Sequence, residues 1–143
     1  GELKSEIEHR VTHLKNQGID IVMTSWIFDI ASFNAGMDIM CLTSKNEGTP
    51  VSLIEAQASN LPVISTDVGG VSDIVAENET GFIISRNDKR NFVEKLKILV
   101  EQDEIRHKMK SKGWEQVHLR FSYKRLAKDM ESYYKRLLRQ NNL

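Results

Sequence analysis

The chain has 143 residues, 40% hydrophobic and 28% charged, which are ordinary values for one globular domain with a real core. No apolar run is long enough to span a bilayer, and no aromatic-plus-basic strand pattern supports a nucleic acid as partner. Net charge is zero, yet residues 1–104 carry 9 Lys+Arg against 17 Asp+Glu and residues 105–143 carry 11 against 3, so the two parts stand at −8 and +8.

Leu3, Ile7, Val11 and Leu14 share one stripe and predict a helix over 2–17, closed by Gly18 as a C-cap. A chain of alternating helices and strands seldom opens on a helix, and its first residue is Gly. A piece of a longer protein is therefore expected. An apolar strand follows at 19–24, then a short helix at 28–35 ending at Gly36. Residues 38–43 read as a buried strand carrying the single Cys41, a small buried hydrophobe there. One cysteine forms no internal disulfide and fits a reducing, cytoplasmic setting. A glycine turn leads to a helix at 50–59, a strand at 63–66, the loop Asp67-Val68-Gly69-Gly70 and a short helix at 71–76. Gly81 opens a strand at 82–85. Asp88 caps a helix to about 101, another helix covers 103–119, and Ser122 caps a last one over 123–139. Leu126, Met130, Tyr133 and Leu137 line up on that last helix. The basic tail over 105–143 can lean on anionic lipid at the inner face of a membrane, on nucleic acid or on an acidic partner surface, or it is a solvated helix face.

Short apolar strands separated by helices predict an α/β fold, a parallel sheet covered on both faces. Ligands bind such sheets at the carboxyl ends of the strands. Three loops start there, at 25–28, 43–49 and 67–70. The middle one is the most informative, running Asn46-Glu47-Gly48-Thr49-Pro50-Val51-Ser52-Leu53-Ile54-Glu55. A strand that turns through glycine into a helix start presents free N–H groups and a positive dipole end to an anion. Pro50 suits the first helical position and Thr49 the N-cap. Val51, Ile54, Ala58 and Leu61 are expected to face inward, leaving Ser52, Glu55 and Ser59 as a polar stripe. Glu55 then lies about 7–8 Å along the axis from the helix start. A diphosphate on the N–H groups of Gly48 to Ser52 would have Glu47 toward one end and Glu55 toward the other, each able to accept hydroxyl hydrogen bonds. Diphosphate plus hydroxyls suggests a nucleotide sugar. On their own, Glu47 could equally be a helix-dipole partner and Glu55 a solvated residue. Gly69-Gly70 either admits a ligand or permits a tight turn. Trp26 and Phe28 could flank a base, or both could be core. His9 and His13 stand at i,i+4 without a third metal ligand, and no Asp-x-Asp site is present.

Ser44-Lys45-Asn46-Glu47-Gly48-Thr49-Pro50, Glu55-Ala56-Gln57-Ala58, Leu61-Pro62-Val63-Ile64-Ser65-Thr66 and Gly69-Gly70 together resemble the donor half of group 1 (family 4) glycosyltransferases. Asp38, Gly81-Phe82-Ile83-Ile84 and Phe121-Ser122-Tyr123 are similar too. The resemblance covers nearly the whole chain. It implies the GT-B fold, in which two Rossmann-like domains face a cleft, and retention of configuration. Residues 1–143 would then be a single donor-binding domain, a doubly wound parallel sheet with a helical C-terminus, lacking its first two strands. By that resemblance Glu47 contacts the donor hexose and acts as the catalytic-site glutamate. Glu55 holds the ribose hydroxyls, Gly48, Thr49, Pro50 and Val51 meet hexose and diphosphate, and Trp26 and Ile27 read the base. The donor is expected to be UDP- or GDP-linked, with no cofactor and no metal, in polysaccharide biosynthesis.

The family's basic pair against the diphosphate, and its acceptor domain, lie upstream of the matched residues, and Lys45 is the only base near the loop. This chain alone is therefore expected to be inactive and to need the acceptor domain of the same parent. The missing strands would lie between 19–24 and 38–43. An apolar edge at 38–43 would then be open, inviting either segment 19–24 or a second copy as a homodimer. A nucleotide-sugar epimerase of the same fold, or a non-catalytic nucleotide-sugar-binding module, are the alternative functions.

Overall fold

A computed structural model describes residues 3–140, so the start of the helix expected over 2–17 lies outside the described residues. In chain order the elements are α1 (Lys4–Lys15), α2 (Ile30–Ala35), β1 (Met40–Leu42), α3 (Val51–Ala58), β2 (Val63–Thr66), α4 (Val71–Ile74), β3 (Gly81–Ile84), α5 (Lys89–Glu101), α6 (Asp103–Phe121) and α7 (Tyr123–Gln140). The strands form one parallel sheet in the order β1-β2-β3, with Met40 opposite Val63 and Val63 opposite Gly81. All four residues of β2 are buried, as expected of a central strand covered on both faces. A Cβ at position 81 would lie 2.3 Å from the Val63 carbonyl oxygen, so glycine is what lets β3 start this close to β2.

Side chains alternate across the sheet and feed two cores. Val63 joins Leu53 and Ala56 of α3 and Val71 and Ile74 of α4 on one face. Its neighbour Ile64 joins Phe82, Ile84, Leu99 of α5 and Met109 of α6 on the other. Helix α6 reaches both faces, and its Gly113 sits against the aliphatic part of Gln57 on α3. The helices therefore clamp the sheet from both sides and leave the carboxyl ends of the three strands free.

Several expectations are corrected. Residues 19–24 form no strand, and the sheet has nothing from that segment beside β1. A strand exists only with a ladder partner, and among the described residues no strand lies alongside this segment. The outer edge of β1 accordingly has no partner among the described residues. Cys41 is exposed rather than core, although desolvation still pushes its thiol above the ordinary value. On α3 the buried face is Leu53, Ala56 and Gln57, while Val51 and Ala58 are exposed. Helices α1 and α7 bury none of their residues, and Leu126, Met130 and Tyr133 of the expected stripe are exposed.

The cap at α2 gives a pH test. Asp29 accepts hydrogen bonds from the Ser32 hydroxyl at 2.7 Å and the Ser32 amide at 2.9 Å, and these bonds hold its carboxyl below the usual range, the hydroxyl most. A depressed folded pKa means the cap stabilises fully above the ordinary aspartate value and is lost as pH falls through the depressed one. The Ser32 amide resonance should therefore titrate with a midpoint below the ordinary value of about 3.9. A midpoint at or above that value would show that the cap does not hold the ionised form.

Candidate functional site

The site is built by the loops that leave β1, β2 and β3 at their carboxyl ends. Thr66, at the end of β2, donates its hydroxyl to the Ser44 carbonyl at 2.7 Å. Arg86, just past β3, donates from Nη1 to the Lys45 carbonyl at 3.3 Å. The Gly70 amide donates to the Gly48 carbonyl at 2.8 Å. Loop 43–49 is thus held from two sides by the loops of its neighbours, which fixes where Glu47 and Gly48 stand.

Gly69 and Gly70 make that contact possible. Gly69 has φ +53°, and a Cβ on it would lie 1.9 Å from the Glu47 carbonyl oxygen. A Cβ on Gly70 would lie 2.8 Å from the Gly48 carbonyl oxygen. The pair therefore serves a third purpose beyond the two weighed from sequence. It lets one loop backbone rest on the other.

Helix α3 starts directly behind Gly48. Its N-cap is Pro50, with ψ 91° and its carbonyl accepting from the Leu53 amide at 3.1 Å, rather than Thr49 with Pro50 inside the helix. No side chain among the described residues caps this end. Its first N–H groups consequently remain for solvent or for an anion. Pro50 is buried and anchors the turn, Glu47 is half-buried, and Gly48, Thr49, Val51 and Glu55 are exposed. The structure thus brings Glu47, Gly48, Thr49, Pro50 and Val51 together at an uncapped helix start, with Glu55 further along α3.

Trp26 and Ile27 lie elsewhere. With Ser25 and Ile30 they line a separate, shallow hollow. Trp26 is 91% exposed and Phe28 99%, so neither aromatic is core. A second concavity, of about 630 Å³, opens at the strand ends and is lined by Thr43, Lys45, Thr66, Arg86 and Lys89 among others. Arg86 and Lys89 were not legible as site residues. The signal that could have found them is their place just past β3, Arg86 in the loop and Lys89 at the start of α5. Among the described residues no three His, Cys, Asp or Glu side chains are grouped to hold a metal ion. His118 stacks on Trp114 and His13 bonds Gln17, both away from these loops.

A parallel sheet carrying a glycine-tied loop and an open helix start at its carboxyl end defines an α/β domain whose whole arrangement matches the C-terminal domain of GT-B glycosyltransferases. Sucrose-phosphate synthase from Thermosynechococcus elongatus superposes with a TM-score of 0.86 at 23% identity, over 98% of this chain and 35% of that one. Residues 1–116 match the family described as Glycosyl transferases group 1, and the chain belongs to that family. It is 29% identical over 140 residues to the capsular polysaccharide biosynthesis glycosyltransferase CapM of Staphylococcus aureus, covering 98% of this chain and 37% of that protein. It is also 29% identical over 105 residues to an Escherichia coli protein named UDP-Gal:alpha-D-GlcNAc-diphosphoundecaprenol alpha-1,3-galactosyltransferase, covering 73% of this chain and 27% of that protein. The chain therefore spans little more than a third of these relatives at most.

Proposed function

We propose that this chain supplies part of the nucleotide-sugar donor site of a retaining glycosyltransferase, whose acceptor domain belongs to the same longer protein. The observation that carries the reading is the uncapped start of α3 behind a loop fixed by Gly69 and Gly70, with Glu47 before it and Glu55 on it. N–H groups at a helix start stabilise the diphosphate leaving group, which bears the charge that develops as the glycosidic bond breaks. Glu47 contacts the donor hexose, Glu55 accepts from the ribose hydroxyls, and Gly48, Thr49, Pro50 and Val51 shape the floor between them. Trp26 and Ile27 take the base. The donor is UDP- or GDP-linked and is handled without metal or cofactor. The names of the two bacterial relatives favour a polysaccharide or lipid-linked glycan as the product class.

No helix among the described residues is long and apolar enough to cross a membrane. The exposed apolar stripe of α7 is assigned to the acceptor domain, and the basic face of the same helix to the inner face of a membrane. Pairing of two copies through the open edge of β1 is a further proposed contact. Alone, this chain is inactive, because acceptor positioning and cationic neutralisation of the leaving group come from outside it.

Thermal shift of the parent enzyme against a nucleotide panel, followed by analysis of the product anomer, tests the reading. Stabilisation by one nucleoside diphosphate and a product keeping the donor's configuration are expected. An inverted product, or an epimerised free sugar nucleotide with no transfer, would overturn it.

A further inference from the structure

The cavity at the strand ends has chemistry that the donor reading leaves unused. Lys45, Arg86 and Lys89 all line it, and none of the three is in an ion pair among the described residues. Its one carboxylate, Asp88, is engaged as the cap of α5, where it accepts from the Asn91 amide at 3.0 Å. Arg86 spends Nη1 on the Lys45 carbonyl, and the rest of its guanidinium fork, with no partner among the described residues, can take an oxyanion. Three cations against one occupied carboxylate around a hollow of about 630 Å³ leave an uncompensated positive site. The volume exceeds that of a bare phosphate and falls within the range of small-molecule pockets. Thr43, Ser85 and Asn87 add hydroxyl and amide groups to the lining, and the ring of Phe92 adds an apolar wall. Glu47 and Glu55 do not line it.

We infer that this cavity binds a phosphate-bearing polyhydroxy ligand, with Lys45, Arg86 and Lys89 on the phosphate and the hydroxyl and amide side chains on the polyol. The ligand is a phosphorylated compound separate from the donor, because the start of α3, Glu47 and Glu55 lie outside this lining. The inference rests on the cavity and not on the roles given to Glu47 and Glu55.

The test is a titration of the isotope-labelled chain with inorganic phosphate, with a hexose phosphate and with the free hexose, read from backbone amide shifts. Saturable shifts at Lys45, Arg86, Asn87 and Lys89 are expected with both phosphates and tighter for the hexose phosphate. The K45Q/K89Q pair should weaken binding at least about tenfold, as loss of charge-assisted bonds requires. Both lysines are exposed, so this pair leaves the fold intact, whereas an Arg86 variant would also loosen loop 43–49. Repeating the titration with saturating UDP separates this cavity from the donor site. Independent binding is expected, and competition by UDP would overturn the inference. Absence of saturable shifts at these amides, equal response to the free hexose, or binding unchanged in the lysine pair would overturn the inference. Loss of UDP binding with the cavity still responsive would instead count against the donor reading alone.

Discussion

Replacing Gly69 by alanine should unseat loop 43–49 and destabilise the domain by about 2–5 kcal/mol, from a left-handed backbone strain of roughly 1–2 and an overpacking cost of roughly 1–3. The new Cβ would stand 1.9 Å from the Glu47 carbonyl oxygen, and that neighbour is backbone, which cannot rotate away. The loops after β1 and β2 must then part. The amide bond from Gly70 to Gly48 goes with them, and Glu47 loses its fixed position. Chemical denaturation measures the stability loss. A variant of wild-type stability with an unshifted Gly48 resonance would show that the two loops do not touch as described.

Leu53→Ala should cost about 2–5 kcal/mol, the range for truncating a buried leucine. Leu53 is fully buried in the first turn of α3, in the core with Ala56, Val63 and Val71. A cavity there lies directly beneath the helix start proposed to meet the diphosphate. Stability and nucleotide affinity should therefore fall together. Equilibrium denaturation beside a nucleotide titration checks this, and a loss below about 1 kcal/mol would contradict the burial.

Much of the architecture was legible because its signals are local. Strand β2 and its neighbours read from apolar runs bounded by Pro62, Gly69 and Gly81, and Asp88 was legible as a cap from its position before an amphipathic run. The turn between β1 and α3 read from its strand–glycine–helix order. What failed was non-local. Residues 19–24 have the composition of a strand, but composition supplies no ladder partner. The inward face of α3 was misjudged because Val51 is apolar yet stands at the exposed rim, while Gln57 is polar yet fully buried and donates to the Leu53 and Ile74 carbonyls. Helical spacing alone does not say which stripe meets the sheet. The purpose of Gly69 and Gly70 was hidden for the same reason. It depends on a backbone more than twenty positions away in sequence.

The most direct test of the central claim is calorimetric titration of the parent enzyme with its nucleoside diphosphate, in the wild type, Glu55→Gln and Glu47→Ala. An amide accepts more weakly than a carboxylate, so Glu55→Gln should weaken binding by about 1–3 kcal/mol. Glu47→Ala should leave binding of the bare diphosphate nearly unchanged while turnover collapses, because Glu47 is assigned to the hexose that this ligand lacks. The opposite pattern, binding abolished by Glu47→Ala and untouched by Glu55→Gln, would contradict the account.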